Sequence, residues 1–344
     1  MSTPVLEISR AAFRANIAAV RARLDGSQLM LVMKDDAYGH GIEWAVAEAE
    51  AGGVSWFGSY DVPTALRIRA VTAQRVYAWA PSTGPEIDAA IGAGVELGVG
   101  SMEYLHAVIA AAERLGARVA VHLKIDTGLH RNGFRPEAWA DAVAVARDAE
   151  ARGSIRIVGV WSHLAEASDE EDDAAQEVFL DAVRILQNAG GEPEVLHLTA
   201  SAAAWWRPEL RGTLSRIGAF CYGIRSAEGP QLEGLSLISR LVATVDAMEG
   251  ELVRIGVGAF HGLPSILRGA EVATPAGLRT IVRIDGDSTL VEGWPGAQEG
   301  DRVVVFGPGA DGESDATALA ERIDTVGEEI LTRLTPAVRR ELAD

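Results

Sequence analysis

The sequence predicts an α/β protein in which a (β/α)8 barrel of the TIM type precedes a smaller, mainly β domain. Eight short apolar segments of strand length alternate with helical segments over about 220 residues, as such a barrel requires. After Ile224 the pattern changes to short alternating segments separated by turns rich in Gly, Pro and Asp. Gly229-Pro230 interrupts the chain between the two patterns. The barrel is therefore assigned to residues 1–228 and the β domain to residues 229–344.

The barrel segments alternate in order along the chain. Ser9 can cap a first helix, whose apolar residues recur at helical spacing as far as Leu24, and the first barrel strand is predicted at 29–33. The other seven strands are predicted at 54–59, 75–80, 95–99, 118–125, 155–162, 194–198 and 214–219. The intervening helices are predicted at 41–51, 62–69, 86–93, 102–115, 136–151, 174–188 and 202–206.

A doubly wound open sheet is the alternative to the barrel. It would need fewer strands and a glycine fingerprint after the first one, where this chain instead has Lys34 followed by Asp35 and Asp36. In the C-terminal domain, strands are predicted at 237–245, 251–257, 278–284, 288–291 and 302–306, and helices at 317–323 and 327–334.

Composition excludes several classes of function. The formal net charge of −18 disfavours a nucleic-acid partner, which needs a basic surface, and disfavours attachment to an anionic membrane. No apolar run is long enough to span a bilayer. The single cysteine, Cys221, can form neither an internal disulfide nor a zinc site, and a buried packing role is expected for it. We therefore expect a cytoplasmic protein without a metal.

Lys34 is the first residue that points to chemistry. It stands at the end of an apolar strand, where burial lowers the pKa of an amine and makes it a nucleophile. On its own it could equally be an ordinary lysine at a strand end. The segment 34–41, however, resembles the cofactor-lysine motif of the alanine racemase family of fold-type-III pyridoxal-phosphate enzymes. The resemblance implies that Lys34 forms a Schiff base with pyridoxal 5'-phosphate and that Tyr38 contacts the cofactor; Asp35 and Asp36 depart from the usual residues.

Segment 122–134 resembles the family's fifth-strand motif. The resemblance implies that Arg131 holds the substrate carboxylate and the cofactor's phenolic oxygen, and that Lys124 is a candidate for carbamylation that braces this arginine. From the residues alone, the Asp-Thr-Gly stretch is a plain turn and Arg131 a surface cation.

Two further segments match the family in order. His163, in the stretch 159–165, corresponds to the histidine that packs against the pyridine ring, and Ser201 corresponds to the serine whose hydroxyl binds the phosphate. A hydrogen-bonded core histidine and a helix cap are the alternatives from spacing alone. Ala200 replaces a usual asparagine.

Segment 215–219 matches the eighth-strand signature. The resemblance implies that Arg216 bonds the pyridine nitrogen and that the backbone amides of Gly218 and Ala219 hold the phosphate. Because an arginine does not give up its proton, the ring nitrogen stays unprotonated and the ring is a weaker electron sink. Such a ring suits removal and return of a proton at one carbon. A salt-bridged arginine at a strand end is the alternative.

The resemblance weakens in the C-terminal domain. Asp287 fits the aspartate near the substrate carboxylate, although Gly286 replaces a usual methionine. Family members take a second base, a tyrosine, from the C-terminal domain of the partner subunit. All five tyrosines here precede that domain, and the segment that carries the base is shortened to 249–251. His261 is the candidate substitute, with a solvated loop histidine as its alternative.

The resemblance therefore implies an amino-acid racemase, most simply one that interconverts L- and D-alanine, working as a homodimer with shared active sites on a small amino-acid substrate. Two alternatives stay open. The chain is a related enzyme with one-sided proton chemistry, such as a decarboxylase, dehydratase or epimerase. Otherwise it is a cofactor-binding protein with weak racemase activity, since the second base is missing.

Overall fold

The computed structural model describes residues 2–343, and these residues divide into two compact units. One unit comprises residues 20–37 and 42–218. The other comprises the described residues up to 19, residues 38–41 and the described residues from 219 onward. The chain begins with β1 (Val5–Ser9) and α1 (Arg10–Leu24), and Ser9 caps α1 as predicted, since its hydroxyl accepts a bond from the Ala12 amide at 3.0 Å.

The first unit is a parallel eight-stranded barrel surrounded by helices, which confirms the predicted fold class. Its strands are β2 (Gln28–Val32), β3 (Trp56–Ser59), β4 (Arg75–Ala78), β5 (Glu96–Val99), β6 (Val119–Lys124), β7 (Ile155–Trp161), β8 (Val195–His197) and β9 (Leu214–Ile217). Its helices are α2 (Lys34–Gly39), α3 (Ile42–Ala51), α4 (Val62–Val71), α5 (Gly84–Ala93), α6 (Met102–Leu115), α7 (Pro136–Arg152), α8 (Asp169–Asn188) and α9 (Ser201–Trp206).

Strand order explains why the sheet curls into a barrel. Consecutive strands from β2 to β8 are neighbours, and β9 pairs with β2 in parallel. The first and last strands of the barrel are therefore adjacent. The Arg216 amide donates to the Thr199 carbonyl at 3.2 Å and links β9 to the segment after β8. Parallel strands are covered on both faces, which accounts for their continuous apolar runs.

The barrel interior is filled by large side chains rather than by a channel. Met30, Trp56, Tyr77 and Trp161 are all buried in one cluster inside this unit. Their partners in the cluster are Val158, Val195 and Leu214. Alternate residues of a strand lie on the same face of the sheet. A polar residue two positions from one of these buried residues on the same strand therefore also points into the barrel.

The second unit contains a mainly antiparallel eight-stranded sheet. Its later strands are β10 (Ser239–Glu249), β11 (Leu252–Ile255), β12 (Glu271–Thr274), β13 (Gly277–Ile284), β14 (Thr289–Glu292), β15 (Arg302–Phe306) and β16 (Arg339–Ala343), with α10 (Ala316–Glu321) and α11 (Gly327–Thr332). The strand β1 also belongs to this sheet, where it pairs antiparallel with β10 and parallel with β16. Sequence reasoning missed β1, β12 and β16.

A buried asparagine ties α1 into this second unit. The Asn16 side-chain amide donates to the carbonyls of Ser236 at 2.8 Å and Cys221 at 3.2 Å, and its oxygen accepts from the Ser236 amide at 3.1 Å. Three of the four hydrogen-bonding positions of the buried Asn16 amide are thus filled. These hydrogen bonds attach both ends of segment 221–236 to the N-terminal helix.

The backbone of α2 is left-handed. Asp35, Asp36, Ala37 and Tyr38 have φ angles of 52 to 56°, and none of them is glycine. Each such residue costs about 1–2 kcal/mol relative to a right-handed conformation. Because unfavourable backbone of this kind persists only where the surrounding structure enforces it, its occurrence directly after Lys34 marks the segment as a functional one.

Candidate functional site

The predicted barrel residues lie where barrel strands end, at the carboxyl edge on which such folds build their sites. Lys34 follows β2 and begins α2, Lys124 closes β6, and His163 comes two residues after β7. Arg216 lies near the end of β9. Because neighbouring parallel strands end at the same edge, these side chains come from four parts of the sequence to one rim.

Four cations at this rim act electrostatically on the imidazole of His163. Burial, together with the positive charges of Arg216, Arg131, Lys124 and Lys34, lowers the pKa of His163 to about 3. The imidazole is therefore neutral at physiological pH. The only protein hydrogen bond of its Nδ1 within the described chain joins it to Nη2 of Arg216 at 3.1 Å, so Nδ1 is the acceptor.

Arg216 is buried and is held almost entirely by uncharged acceptors. Its Nη1 donates to the carbonyl of His197 at 2.8 Å and to the Nδ1 atom of the same residue at 3.2 Å. Its Nη2 donates to the carbonyls of Ser162 at 2.8 Å and Leu198 at 3.3 Å, and to His163. Within residues 2–343 no carboxylate pairs with it, so the alternative, a salt-bridged arginine at a strand end, is wrong. Burial lowers the pKa of Arg216 to about 10, and it stays charged.

Lys124 is a second buried amine. Burial and the charges of Arg216 and Arg131 lower its pKa to about 8, while Asp126 opposes the shift. Its Nζ atom lies 4.5 Å from the centroid of the Trp161 ring. Arg131 itself is exposed, and its charge lowers the pKa of Lys124, His163 and Arg216. Its assignment to the substrate carboxylate stays a prediction.

The lysine content of the chain carries a signal that motif reading missed. The chain has 31 basic residues, of which only Lys34 and Lys124 are lysines and all others arginines. Surface cations can be of either type, so a chain that carries lysine only at two barrel-rim positions indicates that amine chemistry is needed there. This count alone could have identified both residues.

Ser201 and Gly218 form a small polar cradle. The Gly218 amide donates to the Ser201 hydroxyl at 3.2 Å. Ser201 is the first residue of α9 and follows Ala200, so the expectation that Ser201 itself caps the helix is wrong. The Ser201 hydroxyl accepts this bond and keeps its own proton available for donation to an anion.

Four predicted site residues belong to the second unit, namely Tyr38, Ala219, His261 and Asp287. Tyr38 is buried against Tyr222 with ring centroids 4.7 Å apart, and Ala219 begins a short 3-10 turn. His261 accepts a bond from the Gly258 amide at 3.1 Å, and burial lowers its pKa against the opposing charge of Asp287. The unit thus brings His261 and Asp287 near each other.

Gly286, which stands where the family usually has methionine, gives space to an aromatic ring. A Cβ atom at this position would lie 2.7 Å from the Phe260 ring, and the Phe260 amide donates to the Gly286 carbonyl at 2.6 Å. The phenylalanine fills the space that a larger residue at 286 would occupy.

Sequence reasoning assigned no role to several polar and aromatic residues inside the barrel. Glu96, His122, His197 and Trp161 are all buried there. The signal for them was the alternation along β6, where His122 and Lys124 lie two residues apart and therefore on one face. Among residues 2–343, no group of three or more His, Cys, Asp or Glu is arranged to hold a metal ion.

Comparisons with known proteins agree with this geometry. The family model for the N-terminal domain of alanine racemase matches residues 8–226. The alanine racemase of Thermobifida fusca is 35% identical over 356 residues, covering 96% of this chain and 95% of that protein. The alanine racemase of Beutenbergia cavernae is 33% identical, with 96% and 95% covered. No helix within residues 2–343 is long and apolar enough to cross a membrane.

Solved structures lead to the same assignment. The structure of alanine racemase from Streptomyces coelicolor A3(2) superposes with a TM-score of 0.95 at 30% identity, covering 99% of this chain and 98% of that chain. The enzyme from Streptomyces lavendulae gives a TM-score of 0.92 at 32% identity, with 100% and 98% covered. The chain belongs to the alanine racemase family.

Proposed function

We propose that this chain is a pyridoxal-phosphate-dependent isomerase that interconverts L- and D-alanine. The observation that carries the proposal is the hydrogen bond of 3.1 Å between the buried Arg216 and the neutral His163, at a rim where the charges of Lys34, Lys124 and Arg131 also lower the pKa of that imidazole. So many positive charges around one imidazole repel one another, and an anionic ligand relieves that repulsion. The phosphate of a phosphorylated cofactor and the carboxylate of an amino-acid substrate supply negative charge at two places.

The donor set fits pyridoxal phosphate. Lys34 provides the primary amine that can hold the aldehyde covalently, and Ser201 and Gly218 provide a hydroxyl and an amide for the phosphate. Within the described chain, Arg216 uses only Nη1 and Nη2 in its hydrogen bonds, which leaves its Nε–H for the ring nitrogen. The assignments of Tyr38 and Ala219 to cofactor binding stay predictions.

Each residue then has a defined task. When bound, pyridoxal phosphate supplies an electron-accepting ring that stabilises negative charge at the substrate α-carbon. Lys34 as the free amine takes a proton from that carbon or returns one. Arg131 binds the substrate carboxylate, and Lys124 braces it, either as the amine or as a carbamate. Arg216 keeps its proton, so it donates a hydrogen bond without protonating the ring.

The first experiment uses the small number of lysines. The full chain loaded with pyridoxal phosphate is reduced with borohydride, digested and analysed by mass spectrometry. Apart from the N-terminal amine, a label can fall only on Lys34 or Lys124. We expect the label on Lys34, and we expect Lys34→Arg, which keeps the charge but loses the primary amine, to show no visible cofactor band. A label on Lys124 alone would overturn the assignment.

The second experiment tests the reaction. The loaded chain is incubated with L-alanine in deuterated water, and both α-deuterium and the chirality of alanine are followed. We expect D-alanine that carries deuterium at the α-carbon. A specific observation favours one other candidate, a related enzyme with one-sided proton chemistry: no tyrosine follows Tyr222 in the sequence. Deuterium exchange into L-alanine without D-alanine would select that candidate.

The assembly and location belong to the same proposal. We infer a homodimer with shared active sites, because a barrel that lacks its own second base needs a donor from elsewhere. Asp287 is assigned to the substrate carboxylate and His261 to the second base. Light scattering gives the oligomeric state, and His261→Gln tests the base. We also infer a cytoplasmic protein that acts on a small amino acid, supported by a single cysteine, whose burial raises the pKa of its thiol.

A further inference from the structure

A continuous chain of hydrogen bonds runs through the barrel interior to Arg216. The Nε2 atom of His122 lies 2.8 Å from Oε2 of Glu96, and its Nδ1 atom lies 2.8 Å from Nε2 of His197. The Nδ1 atom of His197 lies 3.2 Å from Nη1 of Arg216. All four side chains are buried. We refer to Glu96, His122 and His197 as the relay.

The charge of Glu96 fixes the direction of every bond in the relay. Burial alone would raise the pKa of Glu96, but hydrogen bonds from His122 and Arg75 lower it to about 2. The carboxylate is therefore ionised and can only accept. Burial also lowers the pKa of His122 and, more strongly, that of His197, so both imidazoles are neutral.

Proton positions then follow one after another. Because Glu96 accepts from Nε2 of His122, the Nδ1 atom of His122 carries a lone pair and accepts from Nε2 of His197. The Nδ1 atom of His197 consequently also carries a lone pair, and it faces an N–H of Arg216. The opposite tautomer of His197 would place N–H against N–H in a buried site, which costs a hydrogen bond and adds repulsion.

Packing by neighbouring residues restricts the orientation of the His122 and His197 rings. The Tyr77 ring contacts both, with centroids 4.5 Å from His122 and 5.4 Å from His197. Trp161 stacks on His197 with an interplanar angle of 6°. Gly159 leaves room for the first imidazole, since a Cβ atom there would lie 2.6 Å from Nδ1 of His122. The surrounding residues therefore leave the rings little freedom to rotate.

We propose that Glu96 and His122 are positioning residues for Arg216, acting through His197 without touching substrate or cofactor. The relay presents a lone pair to the guanidinium and so fixes the rotation of Arg216 and the direction of its remaining N–H. The inference rests on the proposed function, in which that N–H meets the ring nitrogen of the cofactor. A negative charge at the far end of the relay also offsets the cost of a buried arginine.

The parent chain provides the first test, independent of any variant. Uniformly ¹⁵N-labelled full-length protein, loaded with pyridoxal phosphate, is studied by long-range proton–nitrogen NMR of its histidine rings. The chain has 7 histidines, and His122→Phe and His197→Phe assign the two signals. We expect both rings to be neutral with the proton on Nε2 from pH 6 to pH 9. A proton on Nδ1 of His197 overturns the proposal.

A matched pair of substitutions provides the second test. Glu96→Gln replaces the obligatory acceptor with an amide, which has a donor on one side and conflicts with Arg75 or His122. Glu194→Gln is the control, since Glu194 pairs with the same Arg75 at 2.9 Å and acts on the pKa of His122 only through its charge, whereas Glu96 accepts a hydrogen bond from that ring. Both variants lose one carboxylate partner of the same arginine, and only one of them interrupts the relay.

The two variants are compared by histidine NMR and by kinetics. In Glu96→Gln we expect a mixture of tautomers at His197 and a fall in kcat of about 10-fold, as for loss of one hydrogen bond to a charged group, with little change in KM. Glu194→Gln should retain the parent spectrum and rate. Equal behaviour of the two variants overturns the proposal.

Failure of the relay and failure of the proposed function are distinguishable. An active racemase whose His197 carries its proton on Nδ1 rejects the relay alone. A chain that does not racemise alanine but shows both protons on Nε2 supports the bond directions and rejects the proposed reaction.

Discussion

Replacing Lys124 with methionine should stabilise the protein at neutral pH. The amine is buried beside two arginines, and its pKa is about 8 against 10.5 for an ordinary lysine. That difference corresponds to about 3 kcal/mol of unfavourable free energy for the charged form in the folded state. The contact with the Trp161 ring offsets part of this cost, by about 1 kcal/mol. A net gain of about 2 kcal/mol for Lys124→Met is expected at pH 7.

The sign of the pH dependence follows from the same shift. Below pH 8 the lysine is charged in both the folded and the unfolded chain, and the folded state bears the full cost. Between pH 8 and 10.5 the unfolded chain binds more protons, so the parent protein gains stability as the pH rises. Above that window both forms are neutral. The advantage of Lys124→Met should therefore disappear as the pH approaches 10.5.

The assay is urea unfolding of parent and variant at pH 7 and pH 10 in buffer freed of carbon dioxide. Taking the difference between the two proteins cancels the other titrating groups. Lysine labelled with ¹³C at the ε-carbon gives only two signals to titrate, and Lys34→Arg assigns them. Two results would refute the reasoning. One is a parent protein with a higher free energy of unfolding than Lys124→Met at pH 7. The other is a difference in unfolding free energy that is the same at pH 7 and pH 10. Added bicarbonate should stabilise only the parent, if Lys124 forms a carbamate.

Three other outcomes follow from the contacts described above. The ring nitrogens of His163, whose pKa is about 3, should show a neutral imidazole from pH 5 to pH 9 by ¹⁵N NMR, and protonation near pH 6 would contradict the clustered cations. Gly159→Ala should lower the free energy of unfolding by about 1–3 kcal/mol through overpacking, whereas Gly92→Ala, with open space around it, should be neutral or stabilising in the same urea titration. Asn16→Ala should cost about 1–3 kcal/mol, because it removes the amide donor from the buried Cys221 carbonyl, whereas water can reach the exposed Ser236; the exposed Asn188→Ala should change little, and equal losses would refute the structural role of the Asn16 amide.

Most of the barrel could be predicted from the sequence. All eight barrel strands lie within a few residues of their predicted positions, because a parallel strand covered on both faces reads as a short apolar run. The strands that were missed have weaker local patterns. β16 is mostly exposed, and β1 is only five residues long and finds its partners more than 200 positions away. Local sequence cannot encode such long-range pairing.

The handedness of α2 was also beyond the sequence. Asp35 and Asp36 tolerate a left-handed backbone as single residues, but nothing in Ala37 or Tyr38 favours one, and a run of four such residues is not predicted by their types. Such a turn exists because the folded surroundings enforce it.

The barrel, the following β domain and the family could be predicted from the sequence, and a cofactor lysine could be proposed, because apolar period and contiguous motifs are local properties of the chain. The surroundings of those residues depend on the tertiary structure. It places four cations close enough to act on one imidazole, gives Arg216 a set of neutral acceptors, and aligns Glu96, His122 and His197 behind it. These residues are 19 to 75 positions apart in sequence at each link. Their proton positions depend on distances and burial, which exist only once the strands have closed into a barrel.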